Sequence, residues 1–160
     1  MNLKEIKAMF KDYHARPIRK TLEKWLTDNK HPEPKIILDW VAALESGEYR
    51  QGHFQLRDKY DKYCCLGVLC EAGQLVSDTS TDIVNSIGDR VYIYEGQRSS
   101  SKLPPAYAEK LQLTLDCQFT DGYESQIDKL AVLNDYDGLN FNEIAYLIKS
   151  YPHLLFTNKG

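Results

Sequence analysis

The sequence lacks a strong net charge and a long apolar run. Its 160 residues carry 20 Lys and Arg against 23 Asp and Glu, for a formal charge of −3 at pH 7. Such a chain has no global field to attract it to nucleic acid or to an anionic membrane. No apolar run approaches the roughly 18–20 residues of a transmembrane helix, and residues 1–7 are charged and amphipathic, unlike a signal peptide. We therefore expect a cytoplasmic protein with no membrane partner and no preference for nucleic acid.

Motifs that would identify a cofactor or a metal are missing as well. The sequence has no P-loop, no dinucleotide-binding glycine fingerprint and no serine nucleophile elbow. The acidic turn at 134–138 fails as a calcium loop. Aligning Gly138 with the EF-hand glycine puts Leu133 and Ile144 at the first and last ligand positions. We expect no cofactor and no bound metal.

What the sequence does contain is one strongly apolar segment, Tyr63-Cys64-Cys65-Leu66-Gly67-Val68-Leu69-Cys70-Glu71-Ala72. As a helix it is apolar on every side, which predicts a central buried helix over about 63–73. Gly67 in its interior would cost about 1 kcal/mol relative to alanine. The glycine therefore predicts that another backbone packs closely against the helix at this point.

The patterns around this segment predict an α+β fold, a mainly helical single domain over residues 1–160 with a small antiparallel sheet. Amphipathic helices are expected within about 2–45, and the sheet and C-terminal helices within about 90–150.

Individual signals add detail to this fold. Residues 91–95 are β-branched and aromatic and form the best strand candidate, with residues 115–119 as its expected partner. The serine-rich stretch 96–102 is expected to be a loop. Asn140 and Glu143 have the spacing of a capping box, which predicts a helix that begins after Asn140.

The core segment also carries a family resemblance. Together with Leu44–Gln51, Leu103-Pro104 and the stretch from Leu133 to Ala145, it resembles an uncharacterised family of small bacteriophage and prophage proteins, over roughly residues 36–150. The resemblance implies a phage accessory product in the bacterial host cytosol. Many such products act on host machinery or host defence. The resemblance implies no activity and no catalytic residues.

Three of the four cysteines lie in the core segment. On a helix, the offsets from Cys64 and Cys65 to Cys70 point the sulfurs in divergent directions, which disfavours a zinc site. Their apolar surroundings favour a role as small core residues. The alternative is a catalytic cysteine, with His53 activating Cys64 or Cys65 near the start of the helix.

Residues 50–57 alternate between polar and less polar side chains, which predicts an extended segment with Phe54 and Leu56 inside and a polar face outside. The candidate ligand-binding residues on or near that face are Arg50, Gln51, His53, Gln55, Arg57 and Tyr63. Arginine and glutamine donors beside an aromatic surface suit a phosphate- or nucleotide-bearing ligand, or the edge of a peptide. The alternative is the solvated face of an edge strand.

Three function classes follow from these features. Our first expectation is a non-enzymatic binding protein for a host protein or a small nucleotide-like molecule, acting in counter-defence. The second is a small cysteine-dependent enzyme. The third is a DNA-binding regulator, suggested by the helix-turn-helix cadence of residues 141–148 but disfavoured by their acidic surroundings and by the absence of arginine after Arg98.

Overall fold

The computed structural model describes residues 3–9, 19–78, 88–114 and 129–157. Within these ranges the helices are α1 (Leu3–Met9), α2 (Arg19–Asp28), α3 (Pro34–Glu45), α4 (Cys65–Ala72), α5 (Pro105–Lys110), α6 (Lys129–Asp135), α7 (Phe141–Ser150) and α8 (Pro152–Leu155). The strands are β1 (Arg50–Gln51), β2 (Lys62–Tyr63), β3 (Val76–Asp78), β4 (Val91–Tyr94) and β5 (Gln97–Ser99). The predicted α+β class is confirmed.

Helix α4 is the centre of the core, as its all-round apolar pattern predicts. Every residue from Cys64 to Cys70 is buried, and the helix packs against α3 and α6, while α3 also packs against α7. The indole Nε1 of Trp40 in α3 donates a hydrogen bond to the Cys65 carbonyl at 2.9 Å. This bond ties the buried first turn of α4 to α3, the longest helix of the described chain.

The predicted start of this helix is wrong by two residues. Tyr63 lies in β2, which pairs in parallel with β1, and Cys64 is the extended residue that precedes the helix. The pairing of Gln51 with Tyr63 holds the backbone extended there. Helical geometry can begin only once the chain has left this strand, at Cys65.

Gly67 has the close neighbour that its position in the helix predicts. A β-carbon at this residue would stand 1.7 Å from the carbonyl oxygen of Leu56 and 2.5 Å from its carbonyl carbon. The backbone of the 50–57 segment therefore rests directly on α4, and the absence of a side chain at residue 67 makes this packing possible.

The small antiparallel sheet is also confirmed, with strand order β3-β4-β5. The expectation of a loop over residues 96–102 is wrong in part, because Gln97–Ser99 form β5. Glu95 and Gly96 both have positive φ angles, 48° and 77°, as in the two-residue turns that join tight hairpins. The expected strand at 115–119 lies outside the described residues.

The C-terminal helix α7 packs against α2 and α3 in the core. The capping box of α7 is confirmed: the Glu143 N–H donates to Asn140 Oδ1 at 2.8 Å, and the Asn140 N–H donates to Glu143 Oε1 at 3.0 Å. Phe156 is buried and bridges to Leu113. In the described ranges no helix is both long and apolar enough to cross a membrane.

Candidate functional site

The 50–57 segment does not have the single extended face that its alternation predicts. Strand β1 ends at Gln51, and residues 53–56 bend. Leu56 is buried as expected, but Phe54 has a φ of +70° and leaves 51% of its surface exposed. The positive φ turns the chain, and the ring that the pattern assigns to the core points instead to solvent.

Gln51 and His53 are directed toward the turn between α6 and α7. The amide Nε2 of Gln51 donates to Asn134 Oδ1 and to the Leu139 carbonyl, each at 2.8 Å. Nδ1 of His53 lies 3.1 Å from the Asn134 carbonyl oxygen. These two members of the predicted ligand-binding row therefore connect parts of the fold to each other.

Asn134 is the centre of this connection and is fully buried. Its Nδ2 donates to the Gly52 carbonyl at 2.9 Å and to Asp135 Oδ1 at 2.8 Å. The same Asp135 oxygen accepts the backbone N–H of Phe54 at 2.9 Å. One asparagine and one aspartate thus hold the bent backbone of residues 51–54 in place.

Arg57 and Tyr63 form a different group, on the side of α4. The Arg57 guanidinium lies 5.2 Å from the centre of the Tyr63 ring, with Nε 2.9 Å from Asp61 Oδ1 and Nη1 3.5 Å from Glu71 Oε1. Glu71 also accepts the Tyr92 hydroxyl at 2.6 Å. Burial raises the pKa of Tyr63. Two carboxylates therefore neutralise this arginine already.

The other two residues of the row also have internal roles. Nη2 of Arg50 donates to the Tyr60 carbonyl, and the Gln55 carbonyl accepts the Cys64 N–H at 3.2 Å. The side-chain oxygen of Gln55 is buried and has no hydrogen-bond partner among the described residues. The six predicted residues thus belong to β2 and the 50–57 bend, and they do not present one common polar surface.

The three described cysteines lie in the core, as their apolar surroundings in the sequence predict. Cys64, Cys65 and Cys70 are buried as free thiols, and burial raises the pKa of the Cys70 thiol well above its ordinary value. The Cys65 sulfur lies 3.6 Å from the Leu130 carbonyl oxygen, whereas His53 contacts Asn134. Among the described residues, no group of His, Cys, Asp and Glu side chains could hold a metal ion.

Helix α7, which carries the helix-turn-helix cadence, is a core element. Every residue from Ile144 to Lys149 is buried, and Lys149 Nζ reaches Glu45 at 3.1 Å. A recognition helix must present side chains to a DNA groove. This helix presents most of them to α3 and α2 instead.

A pair of exposed aromatic residues is the feature that the sequence pattern misses. The rings of Phe54 and Tyr136 meet edge to face, with centres 5.3 Å apart and planes at 69°, although 62% of Tyr136 is exposed. Beside them is a cavity of about 150 Å³ whose walls include Phe54, Leu66, Lys102, Ala131, Asp135 and Tyr136. We call this feature the aromatic cleft.

A second and larger depression, of about 360 Å³, lies between the end of α4, strand β4 and helix α5. Tyr107 lines it, but the Tyr107 hydroxyl is buried beneath Gly73 and has no hydrogen-bond partner among the described residues. Lys110 at its edge contacts Glu33 at 3.6 Å and the Tyr94 ring at 5.7 Å. The Tyr107 hydroxyl is therefore covered, and the Lys110 ammonium is already paired.

Comparison with known proteins gives one match. Neither the curated proteins nor the solved structures yielded any. The family described as "Domain of unknown function (DUF8296)" matches residues 33–152, a range that contains α3, α4, the 50–57 bend and the aromatic cleft. The expectation of an uncharacterised family is thereby confirmed. Because the match covers well over half of the 160 residues, the chain belongs to the DUF8296 family.

Proposed function

We propose that this chain is a non-enzymatic binding protein that engages a partner protein through the aromatic cleft. The observation that carries the proposal is Phe54. A positive φ costs a bulky residue about 1–3 kcal/mol, and leaving such a ring in water forgoes part of the roughly 1.5–3 kcal/mol that its burial would contribute. Neither property stabilises the fold, but strained residues and exposed aromatic anchors both concentrate at binding sites.

The surrounding residues hold Phe54 ready for a partner. Asp135 accepts its N–H, and buried Asn134 fixes that carboxylate through a second hydrogen bond. Tyr136, the next residue along the chain, contributes the second ring. A site arranged in advance loses less conformational entropy on binding, which supports a recognition role for this arrangement.

A protein partner is favoured over a nucleotide-like ligand by the state of the arginines. Arg57 is paired with Asp61 and Glu71, and Arg50 bonds the Tyr60 carbonyl. A phosphate would have to replace those contacts. The exposed rings of the aromatic cleft require no such exchange, because aromatic side chains are typical anchors of protein interfaces.

The biological setting that we propose comes from the resemblance of the core segment to phage and prophage proteins. On that basis the chain is a phage or prophage product in the host cytosol, and its partner is a bacterial host protein. Blunting a host defence response is the role that this setting favours.

The proposal is tested by capturing the partner with paired variants. The parent chain and the variants Phe54→Ala, Tyr136→Ala and Tyr60→Ala are immobilised and exposed to host lysate, and any recovered protein is purified and titrated against each. Tyr60 is a matched control, because 63% of it is exposed and it lies outside the cleft. We expect a loss of affinity of tenfold or more for the two cleft variants and parental affinity for Tyr60→Ala.

A further variant separates binding from folding. Glycine accepts a positive φ without strain, which offsets the extra conformational entropy that it loses on folding, so Phe54→Gly should unfold in urea within about 1 kcal/mol of the parent and yet fail to bind. Parental affinity in Phe54→Ala and Tyr136→Ala would overturn the proposal. Loss of binding in Arg57→Ala alone would transfer the site to the arginine side of the bend.

A further inference from the structure

We infer that the aromatic cleft takes a peptide segment with one large apolar side chain next to a carboxylate, the apolar group entering the cavity and the carboxylate meeting Lys102. This inference rests on the proposed function and specifies the chemistry of the partner. Three observations carry it: the size of the cavity, the angle of the two rings and the state of the charges at the rim.

The size of the cavity suits one side chain. Its volume of about 150 Å³ falls below the roughly 300–1,000 Å³ of sites that enclose a small-molecule ligand. A space of about this size lined by apolar groups is enough for a single benzene-sized group. Leu66 and Ala131, both buried core residues, give the cavity an apolar lining. The occupant is therefore one ring or one branched aliphatic group and not a whole cofactor.

The two aromatic rings favour a flat or branched apolar group. Their planes meet at 69°, so that they form two sides of an open corner. A third ring in that corner can stack on one face and meet the other edge on, which are the two geometries that aromatic pairs prefer. The hydrogen bond to Asp135 holds the backbone of Phe54, and the ring already contacts Tyr136, so the corner exists before the partner arrives.

The charges at the rim determine what lies beside the apolar group. Oδ1 of the Asp135 carboxylate accepts the N–H of Phe54 and the amide of Asn134, two neutral donors that fix its position without removing its charge. The Lys102 ammonium is exposed and has no ion-pair partner in the described part of the chain. The cation available to a partner is therefore Lys102, and its complement is an Asp or Glu adjacent to the apolar anchor that meets this ammonium and avoids the Asp135 carboxylate.

The inference is tested with three capped peptides and the full chain. The probes are N-acetyl-Ala-Phe-Asp-Ala-amide, the same peptide with Asn for Asp, and the same peptide with Ala for Phe. Each is titrated while NMR follows the methyl groups of Leu66 and Ala131. We expect saturable shifts with the Phe-Asp peptide, two- to fivefold weaker binding of the Phe-Asn peptide, as for an exposed ion pair, and no shifts without the ring.

Two lysine variants make the test specific. Lys102→Gln should remove the preference for Asp over Asn, whereas Lys59→Gln, at another exposed lysine outside the cleft, should keep it. Equal binding of the two Phe peptides, or no shift at Leu66 and Ala131 with either, would overturn the inference. Either of these peptide results is compatible with a captured partner whose binding depends on Phe54. In that case the inference about the peptide fails, and the proposed function remains supported.

Discussion

The carbonyl oxygen of Leu56 occupies the space beside Gly67 where any other residue would place its β-carbon, with only 1.7 Å between the two positions. Two backbones therefore touch at the centre of the core. This contact places the 50–57 bend, and with it Phe54, against the buried helix α4.

The first prediction concerns this contact. Gly67→Ala should lower the free energy of unfolding by about 1–3 kcal/mol, because the new methyl group forces the two backbones apart. In an exposed helix the same change would raise stability by up to about 1 kcal/mol. Urea denaturation measures whether Gly67→Ala lowers or raises the free energy of unfolding. A higher value than that of the parent would contradict the backbone contact.

The second prediction concerns the close packing of Gly73 against Tyr107, which can be tested from either residue. A β-carbon on Gly73 would lie 1.7 Å from the Tyr107 hydroxyl, so Gly73→Ala should be destabilising. Tyr107→Phe should stabilise the protein by about 1 kcal/mol, since it removes a buried hydroxyl that lacks a partner in the described ranges.

A double-mutant cycle, measured by thermal denaturation, compares Gly73→Ala, Tyr107→Phe and the variant that carries both changes. Gly73→Ala should cost less in the Tyr107→Phe background, because the atom that it meets is then gone. Strictly additive effects would show that the two residues do not share this space.

Asn134 should be far more sensitive than an exposed asparagine. Asn134→Ala leaves the Gly52 carbonyl without its side-chain donor and removes one of the two acceptors of the Gln51 amide, and it should cost about 2–3 kcal/mol. Asn134→Asp, of the same shape, should also destabilise, because it sets an oxygen against the Gly52 carbonyl and the Asp135 carboxylate. Exposed Asn142→Ala is the control and should stay within about 0.5 kcal/mol in the same denaturation assay.

His31 should make stability depend on pH. Burial lowers its pKa below the ordinary 6.5, partly offset by the hydrogen bond to the Leu111 carbonyl and by the charge of Glu33. Nε2 lies 2.7 Å from that carbonyl, and Nδ1 accepts the Glu33 N–H at 3.0 Å, so the folded protein holds the neutral ring.

The direction in which stability changes with pH follows from the protonation of His31 in the folded and unfolded states. Between the lowered folded pKa and 6.5 the unfolded chain binds the extra proton, and the stability that His31 contributes is lost as pH falls through this window. The difference in free energy of unfolding between the parent and His31→Gln should therefore shrink below pH 6.5. Parallel pH profiles for the two chains would show that the imidazole does not titrate differently on folding.

The buried cysteines should react slowly. Iodoacetamide at neutral pH should label Cys64, Cys65 and Cys70 only after denaturant is added, because their sulfurs are covered in the folded chain. Peptide mass spectrometry distinguishes each site from Cys117, which lies outside the described residues. Rapid labelling of Cys64 or Cys65 alone in the folded protein would favour the alternative hypothesis of a cysteine-dependent enzyme.

Local patterns in the sequence predict much of this fold because they reflect local physics. The all-round apolar segment predicts the buried α4, the spacing of Asn140 and Glu143 predicts a helix cap, and Gly67 predicts a close backbone. Each of these depends on residues a few positions apart. The strand Gln97–Ser99 is missed, since its polar side chains carry no strand signal and its pairing follows from the preceding hairpin turn.

The aromatic cleft could not be predicted in the same way. The alternation of residues 50–57 places Phe54 inside, and no local signal indicates a positive φ at a phenylalanine. The residue that stabilises this bend, Asp135, is 81 positions away in the sequence. The acidic turn that contains it is visible in the sequence as a turn, but nothing there indicates which segment it holds.

The link through Asn134 also sets an order in time. The bend at residues 51–54 is fixed by groups that follow it by 81–88 positions, so it cannot take its final form while the chain is being made until residue 139 has been added. Contacts this distant in sequence form late, after the loop between them has closed. A chain that ends before Asn134 lacks both side chains, Asn134 and Asp135, that hold the bend and Phe54 within it. The surface is thus completed only when the fold itself is nearly complete.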